Sequence, residues 1–219
     1  MKSSIQQLDM PYYCCPKKHK AREQTIIETY RKYYGRKSIP GTKQYWTICG
    51  RCYDNNKMAP GSEPGQLIQG LIKPSQFFGV EINPVIHGLN QRCNQTVNWI
   101  QGDFYSEMII AWNHKRFNPA IVNADMTSMP KRGSLYLSRI MNFLTDTDFK
   151  IMLIGNFVMQ YRSHIDKDED VTACLESEPL FQASIRTGKW KIYDWFYRYN
   201  GTGRTGTKMG TVIMFKCKK

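Results

Sequence analysis

The sequence has no apolar run that approaches the roughly 20 residues needed to cross a membrane. Its first residues also lack the apolar centre of a signal peptide. These two absences predict a soluble, cytoplasmic protein without a membrane partner. Hydrophobic residues nevertheless make up 41% of the chain, which is typical of a packed globule and excludes a disordered one.

Acidic residues are few. The chain has 18 Asp and Glu against 31 Lys and Arg, for a formal net charge of +13. The excess lies at the two ends, because residues 1–44 carry +7, residues 186–219 carry +8 and residues 45–185 carry −2. Two basic ends around a near-neutral centre indicate an anionic partner, with nucleic acid the leading candidate. A lysine-rich surface that only confers solubility is the simpler alternative.

The dinucleotide fingerprint Gly-x-Gly-x-x-Gly is also absent, which counts against a nicotinamide-dependent dehydrogenase.

The seven cysteines are irregularly spaced, and we expect reduced thiols. Cys49 and Cys52 form a Cys-x-x-Cys pair, and Cys14, Cys15 and His19 lie upstream. Together these could supply four zinc ligands, but the spacing is unusual. We therefore predict no metal site and keep a zinc-stabilised module as an alternative.

From residue 45 onward, short apolar segments alternate with helix-length segments. The predicted strands cover 45–50, 77–81, 97–101, 119–124, 149–155, 190–199 and 210–216. The predicted helices cover 17–36, 62–73, 84–93, 105–116 and 132–144. This order predicts an α/β fold with a three-layer, mostly parallel, seven-stranded sheet and a C-terminal antiparallel hairpin. We divide the chain into a basic N-terminal helical extension, 1–42, and a domain, 43–219.

Three of the predicted strands end in, or are followed at once by, an acidic residue: Glu81, Asp103 and Asp125. Ligands of open α/β sheets bind outside the carboxyl ends of the strands, so these carboxylates are expected to line one crevice. A nucleoside cofactor needs such acids: one to bind the ribose, one to contact the adenine and one beside the reacting group.

This order of elements resembles the class I S-adenosylmethionine-dependent methyltransferases, a Rossmann-like family, over about residues 43–219. The resemblance implies S-adenosylmethionine as cofactor. Its methionine part would be held by the loop after the first strand, which here carries Gly50, Gly61, Glu63 and Gly65.

The same resemblance assigns roles further along the chain. Glu81 stands where the family's acid binds both ribose hydroxyls, with Asn83 beside it. Asp103 would accept from the adenine amino group, and Phe104 would pack against the base. The segment from Asn123 to Asp125 matches the strand end beside the transferring methyl. The resemblance places Asn123 in the cofactor site and Asp125 as the catalytic residue.

The sequence departs from the family in ways that leave the acceptor open. The usual Gly-x-Gly-x-Gly after the first strand is replaced by a longer loop. The sequences of residues 59–61 and 123–126 resemble motifs of the RNA ribose 2′-O-methyltransferases. The predicted strand that ends at 156, however, lacks the lysine that those enzymes use. The Pro-Pro-aromatic signature of amino-methyltransferases is missing after Asp125. A methyltransferase fold kept without turnover, as a nucleic-acid-binding or assembly factor, is the alternative function.

Two basic segments are candidates for nucleic-acid binding. The first is the N-terminal helix with Lys17, Lys18 and Lys20, and the second is the glycine-rich hairpin loop with Arg204 and Lys208. Glycines allow the loop backbone to approach a phosphate closely. A solvated helix face without a function is the alternative for the first segment.

Overall fold

The structure is a computed structural model that describes residues 20–54, 57–126, 130–160, 175–200 and 208–217. Cys14, Cys15, Lys17, Lys18, His19 and Arg204, named above as candidate ligands or phosphate contacts, lie outside the described residues.

Helices and strands alternate through most of the described chain. The strands are β1 (Gln44–Ile48), β2 (Tyr53–Asp54), β3 (Lys57–Met58), β4 (Phe77–Glu81), β5 (Asn98–Gln101), β6 (Pro119–Asp125), β7 (Met152–Gln160), β8 (Trp190–Asn200) and β9 (Lys208–Lys216). The helices are α1 (Thr29–Tyr34), α2 (Glu63–Gly70), α3 (Pro84–Cys93), α4 (Phe104–Asn113), α5 (Pro130–Thr145) and α6 (Pro179–Arg186). A π-helical segment, Glu23–Glu28, leads into α1, and a 3-10 turn, Pro74–Gln76, precedes β4.

Seven strands form one sheet in the order β5-β4-β1-β6-β7-β9-β8, and β2 pairs with β3 in a small hairpin. The pairs β1–β4, β1–β6, β4–β5 and β6–β7 are parallel, whereas β9 is antiparallel to both β7 and β8. The predicted α/β class, the seven-stranded sheet and its C-terminal antiparallel hairpin are therefore confirmed. The division after residue 42 stays a prediction.

Some element bounds differ from the sequence expectation. The strand expected at 149–155 begins at Met152 and continues to Gln160, because β9 pairs with it along nearly its whole length. The helix expected at 105–116 ends at Asn113. It is followed by a turn in which Lys115 has a φ of 56°, a left-handed conformation that cannot continue a helix.

The sheet is covered on both faces, which gives the predicted three layers. One core cluster joins the sheet to α4, α5 and α6 through Met108, Leu137 and Phe181. The other joins it to the N-terminal helix and α2 through Ile26 and Leu67. None of the described helices is long and apolar enough to span a membrane.

Basic residues are concentrated at the edge of the sheet where the parallel strands begin. The described loops leading into β1, β4, β6, β7 and β8, together with the last residue of α6 and the end of β9, carry ten of them: Arg36, Lys37, Lys43, Lys73, Lys115, Arg116, Lys150, Arg186, Lys189 and Lys216. The acids in these loops are Asp146 and Asp148. We call this surface the amino edge, and the opposite side, where the parallel strands end, the carboxyl edge.

The turn before α2 is held together by close packing of its backbone. Ser62 caps the helix, because its side chain accepts from the Gly65 backbone N–H at 3.2 Å and donates to the Ala59 carbonyl at 2.6 Å. A Cβ on Gly65 would lie 2.5 Å from the Ala59 oxygen and 2.8 Å from the Pro60 oxygen. Both neighbours are backbone atoms, so only glycine fits without moving the turn.

We predict that Gly65→Ala lowers the free energy of unfolding by about 1–3 kcal/mol, since the turn must shift to admit the methyl group. Gly88→Ala is the matched control. Gly88 lies inside α3 with open space around its Cβ position, and alanine there should stabilise the helix by about 0.5–1 kcal/mol. Urea denaturation of both variants measures the difference. Equal stability of Gly65→Ala and the wild type would show that the turn is not tightly packed.

Candidate active site

The three acids predicted to share a crevice lie at the carboxyl edge of the sheet. Glu81 ends β4, Asp103 follows β5 and Asp125 ends β6. The sheet order places β5, β4, β1 and β6 side by side, so Glu81 stands between Asp103 and the end of β1, and Asp125 stands on the other side of β1. The Gly102 N–H donates to the Glu81 carbonyl at 3.2 Å, which joins the first two strand ends directly.

Glu81 is half-buried at the end of β4, and its carboxylate accepts from the Asn83 backbone N–H at 2.7 Å. Burial raises the pKa of Glu81 above 4.5, and the backbone N–H groups of Asn83 and Ile82 and the nearby His87 oppose that rise only in part. The carboxylate is thus partly shielded from water and can accept further hydrogen bonds. The neighbouring Ile82 is 71% exposed, an apolar surface at the same strand end.

Asn83 and Asp103 both act as helix N-caps. The Asn83 side chain accepts from the backbone N–H groups of Val85 and Ile86 at the start of α3, at 2.9 and 3.3 Å. One oxygen of Asp103 accepts from the backbone N–H and the hydroxyl of Ser106 at the start of α4, at 3.0 and 2.9 Å. The amide nitrogen of Asn83 and the second oxygen of Asp103 have no part in the capping.

That second oxygen of Asp103 accepts from the hydroxyl of Tyr136, which lies on α5, at 3.2 Å. Burial, together with the nearby Asp103, raises the pKa of Tyr136 to about 12, so it remains a donor at neutral pH. Phe104 is 3% exposed and belongs to the core cluster on the α4 face. Asp103 is therefore exposed at the carboxyl edge, whereas the side chain of Phe104 is buried in the core.

Glu63 and Asn123 lie inside the protein and contact each other. Glu63 is 4% exposed and Asn123 is 1% exposed. The carboxylate of Glu63 accepts from the Tyr45 hydroxyl at 2.6 Å and from the Asn123 amide at 3.1 Å, and Arg22 lies 3.9 Å from its other oxygen. Arg22 also donates to the carbonyl of Gly61 at 3.1 Å, which ties the N-terminal helix to the turn before α2.

The same network continues across the sheet. The Asn156 amide on β7 donates to the Asn123 side-chain oxygen at 2.8 Å, and the Thr211 hydroxyl on β9 donates to the Asn156 side-chain oxygen. Asn156 is also the register partner of Asp125. A continuous row of polar side chains therefore runs from β9 to the N-terminal helix. It passes the strand pair that carries Asp125, which is itself half-buried.

The loop after β1 is held by a side-chain amide. Asn90, 1% exposed on α3, accepts from the Cys52 backbone N–H at 3.0 Å and donates to the carbonyl of Gly50 at 3.0 Å. The space at the Cβ position of Gly50 is open. This clamp fixes the end of β1 without the glycine-rich loop that the family uses.

Cys49 and Cys52 are buried, with their sulfur atoms 3.1 Å apart. The hydrogen bond with Cys52, burial and the nearby acids raise the pKa of Cys49 well above its usual value, which favours a protonated, unreactive thiol. The described residues contain no group of three His, Cys, Asp or Glu side chains able to hold a metal ion. Cys14, Cys15 and His19 belong to the undescribed part, so the zinc alternative has only this pair within the structure.

Among the candidate phosphate contacts, Lys20 is exposed at the beginning of the N-terminal helix, and Lys208 begins β9. The others lie outside the described residues.

Side chains that the sequence interpretation missed include Arg22, Tyr45, Tyr136, Asn156 and Thr211. Asn156 had a visible signal, because it is a polar residue that follows an apolar strand segment.

The fold also occurs in proteins of known structure. M. jannaschii TYW2, solved in complex with AdoMet, superposes with a TM-score of 0.51 over 95% of this chain and 79% of that chain, at 11% identity. The chain has the class I methyltransferase fold. The match confirms the fold that the sequence predicted.

Two further methyltransferase-fold structures are similar at lower scores. Trm5b from Pyrococcus abyssi gives a TM-score of 0.48 over 95% of this chain and 51% of that one, at 11% identity. The N-methyltransferase NodS from Bradyrhizobium japonicum WM9 gives 0.47 over 94% and 100%, at 7% identity. No family model and no curated protein matches the sequence.

We predict that Tyr45→Phe lowers the free energy of unfolding by about 1–3 kcal/mol, because it removes a buried donor from the Glu63 carboxylate. Burial and the neighbouring Glu63 raise the pKa of Tyr45 well above 10, so the hydroxyl is a permanent donor. The control is Tyr33→Phe, at a position 44% exposed, where a change below about 0.5 kcal/mol is expected. Equal effects of the two substitutions in urea denaturation would contradict a special role for the Tyr45 hydroxyl.

Proposed function

We propose that this protein binds S-adenosylmethionine in the crevice at the carboxyl edge and transfers its methyl group to an acceptor on a nucleic acid. The observation that carries the proposal is Glu81, a half-buried carboxylate at the end of β4 whose pKa burial raises. Two ribose hydroxyls would supply the donors that this carboxylate lacks, in a bidentate, charge-assisted contact.

The residues around Glu81 fit the rest of the nucleoside. Ile82, exposed and apolar, offers a surface for the adenine ring, a role that the buried Phe104 is poorly placed to fill. Asp103 keeps one oxygen toward Tyr136 and has lone-pair capacity for a further donor such as the adenine amino group. The Nε2 atom of His87, on α3 close behind Glu81, is buried and has no hydrogen-bond partner among the described residues. An unmet polar atom beside the crevice is consistent with a bound polar ligand.

S-adenosylmethionine would supply a methyl group made electrophilic by its sulfonium charge. Glu81, Asp103 and Asp125 end or follow strands of the carboxyl edge and would favour a cationic donor beside them, although basic residues also lie at this edge, with Arg51 after β1 and Lys131 and Arg132 in the first turn of α5. Asp125 would orient the acceptor hydroxyl or amine and take up its proton. Asn156, paired with Asp125 in register, would fix the backbone there through its carbonyl, which accepts from the Met126 N–H at 3.2 Å.

The assignment of a nucleic acid as the acceptor rests on charge. The net charge of +13 and the two basic chain ends support a polyanionic substrate. The alternative, a fold retained without turnover, is favoured by the absence of a lysine on β7 beside Asp125, where the residue in register is Asn156. Cofactor binding distinguishes the two.

We expect calorimetric titration to show saturable binding of S-adenosylmethionine to the wild type. Glu81→Gln should weaken that binding by about 10- to 100-fold, because a charge-assisted contact contributes roughly 1.5–3 kcal/mol. Glu28→Gln makes the same chemical change at an exposed helical position and should bind as the wild type does. Failure of the folded wild type to bind would reject the cofactor proposal. Equal binding by Glu81→Gln would reject the ribose contact.

The raised pKa of Glu81 also predicts a pH dependence with a defined sign. Between pH 4.5 and the raised pKa, the Glu81 carboxyl is protonated in the folded protein but ionised in the unfolded chain. The stability that this bound proton contributes is therefore lost as the pH rises through that window. Unliganded Glu81→Gln should therefore be at least as stable as the wild type at pH 7, and the wild type should lose cofactor affinity as the pH falls through the same window. Thermal unfolding and calorimetry across this range measure both effects, and a less stable Glu81→Gln would contradict the first.

A further inference from the structure

The amino edge of the sheet carries an excess of positive charge within the described residues. It has ten basic residues and two acids, whereas the carboxyl edge carries both signs: Glu81, Asp103 and Asp125 at the strand ends, Arg51 after β1, and Lys131 and Arg132 at the start of α5. The basic residues of the amino edge come from five separate loops, the end of α6 and the end of β9, so no single charged run accounts for them. They meet only because the parallel strands all begin at this edge.

Helix ends explain part of this pattern. Helices that cover a parallel sheet end near its amino edge, and a cation there stabilises the unpaired carbonyls of the last turn. Lys216 has this role, since its Nζ donates to the Leu144 carbonyl at 2.7 Å. Lys43 is also used internally and donates to the Asn118 side-chain oxygen at 2.6 Å. In contrast, Lys73 and Lys115 are exposed and lie beyond the last turns of α2 and α4.

We propose that the amino edge binds a nucleic acid through its phosphate backbone, at a surface separate from the crevice. A row of cations from different loops matches a ligand with closely spaced negative charges, because each neutralised phosphate releases counterions and the gains accumulate. A small anion would be held by one loop, whereas a polyanion engages all of them. Apart from Arg36, which ends the helix predicted at 17–36, this surface is distinct from the basic N-terminal helix and from the hairpin loop with Arg204 and Lys208 that the sequence suggested.

A nucleic acid fits this edge better than an anionic membrane does. Peripheral membrane binding combines basic groups with apolar side chains that insert below the headgroups. The exposed large apolar side chains of the described residues lie outside the amino-edge loops: Tyr33, Ile82, Val85, Ile110, Trp112 and Leu135. Two of them, Tyr33 and Trp112, are amphipathic rings on the ends of α1 and α4 that flank the edge. Each packs against another ring and offers a surface on which an unpaired base can stack.

The amino edge is too far from the crevice to be part of it. β1 has five residues, so the two edges are separated by roughly 15 Å at about 3.3 Å per residue. Binding at the amino edge is therefore independent of cofactor binding, and the proposal does not rest on methyl transfer.

The test compares two double variants of the full chain that lose the same charge. Lys73→Gln with Lys115→Gln removes two exposed cations from the amino edge, and Lys57→Gln with Arg139→Gln removes two exposed cations elsewhere. Fluorescence anisotropy would measure binding of a labelled single-stranded RNA and a labelled DNA duplex over a range of salt concentrations. The amino-edge variant should bind about tenfold more weakly, with a salt slope smaller by between about 1 and 2, while the control stays close to the wild type.

The preferred nucleic acid is the probe that the wild type binds more tightly and that loses more affinity in the amino-edge variant. Unchanged affinity and slope in that variant, or an equal loss in the control variant, would overturn the proposal. Tighter binding to phosphatidylserine vesicles than to either nucleic acid, lost in the same variant, would overturn it in favour of a membrane. S-adenosylmethionine titration of the amino-edge variant should match the wild type. A wild type that binds RNA but not the cofactor would reject only the function proposed above.

Discussion

The buried carboxylate of Glu63 is the contact on which the candidate site depends. A carboxyl group removed from water is tolerated only when it is paired and hydrogen-bonded. Its partners come from three distant parts of the chain: Arg22 on the N-terminal helix, Tyr45 on β1 and Asn123 on β6. Because all three must be in place together, this one group fixes the start of α2 and the N-terminal helix relative to the strand ends.

Side-chain hydrogen bonds fix the backbone after β1, where structures of this fold carry a glycine-rich loop. In that loop, glycine lets the backbone bend tightly beside the cofactor. Here the corresponding segment is longer and is held at both ends by side chains. Asn90 binds the backbone at Gly50 and Cys52, and Ser62 binds it at Ala59 and Gly65. The backbone shape is therefore set by hydrogen bonds to buried amides and hydroxyls, and packing requires glycine at Gly65, whereas the Cβ position of Gly50 is open.

The parts of the site that could be predicted are those encoded locally. Glu81, Asp103 and Asp125 follow short apolar strands, and the Ser62 cap follows from a helix-start pattern. The burial of Glu63 could not be predicted, because its partners Tyr45 and Asn123 are 18 and 60 residues away in sequence. Phe104 shows the same limit. The direction of its side chain, into the core cluster, depends on how α4 packs on the sheet.

Charge was the property that the linear sequence concealed most completely. Residues 45–185 carry only −2 and look neutral beside the two basic ends. In the fold, charges of this stretch lie on different surfaces: Lys73 and Lys115 are at the amino edge with basic residues of the chain ends, while Glu81, Asp103 and Asp125 end or follow strands at the carboxyl edge. A polyanion bound at the amino edge, as proposed above, would have to extend around the sheet, over roughly the length of a strand, to bring an acceptor group to Asp125.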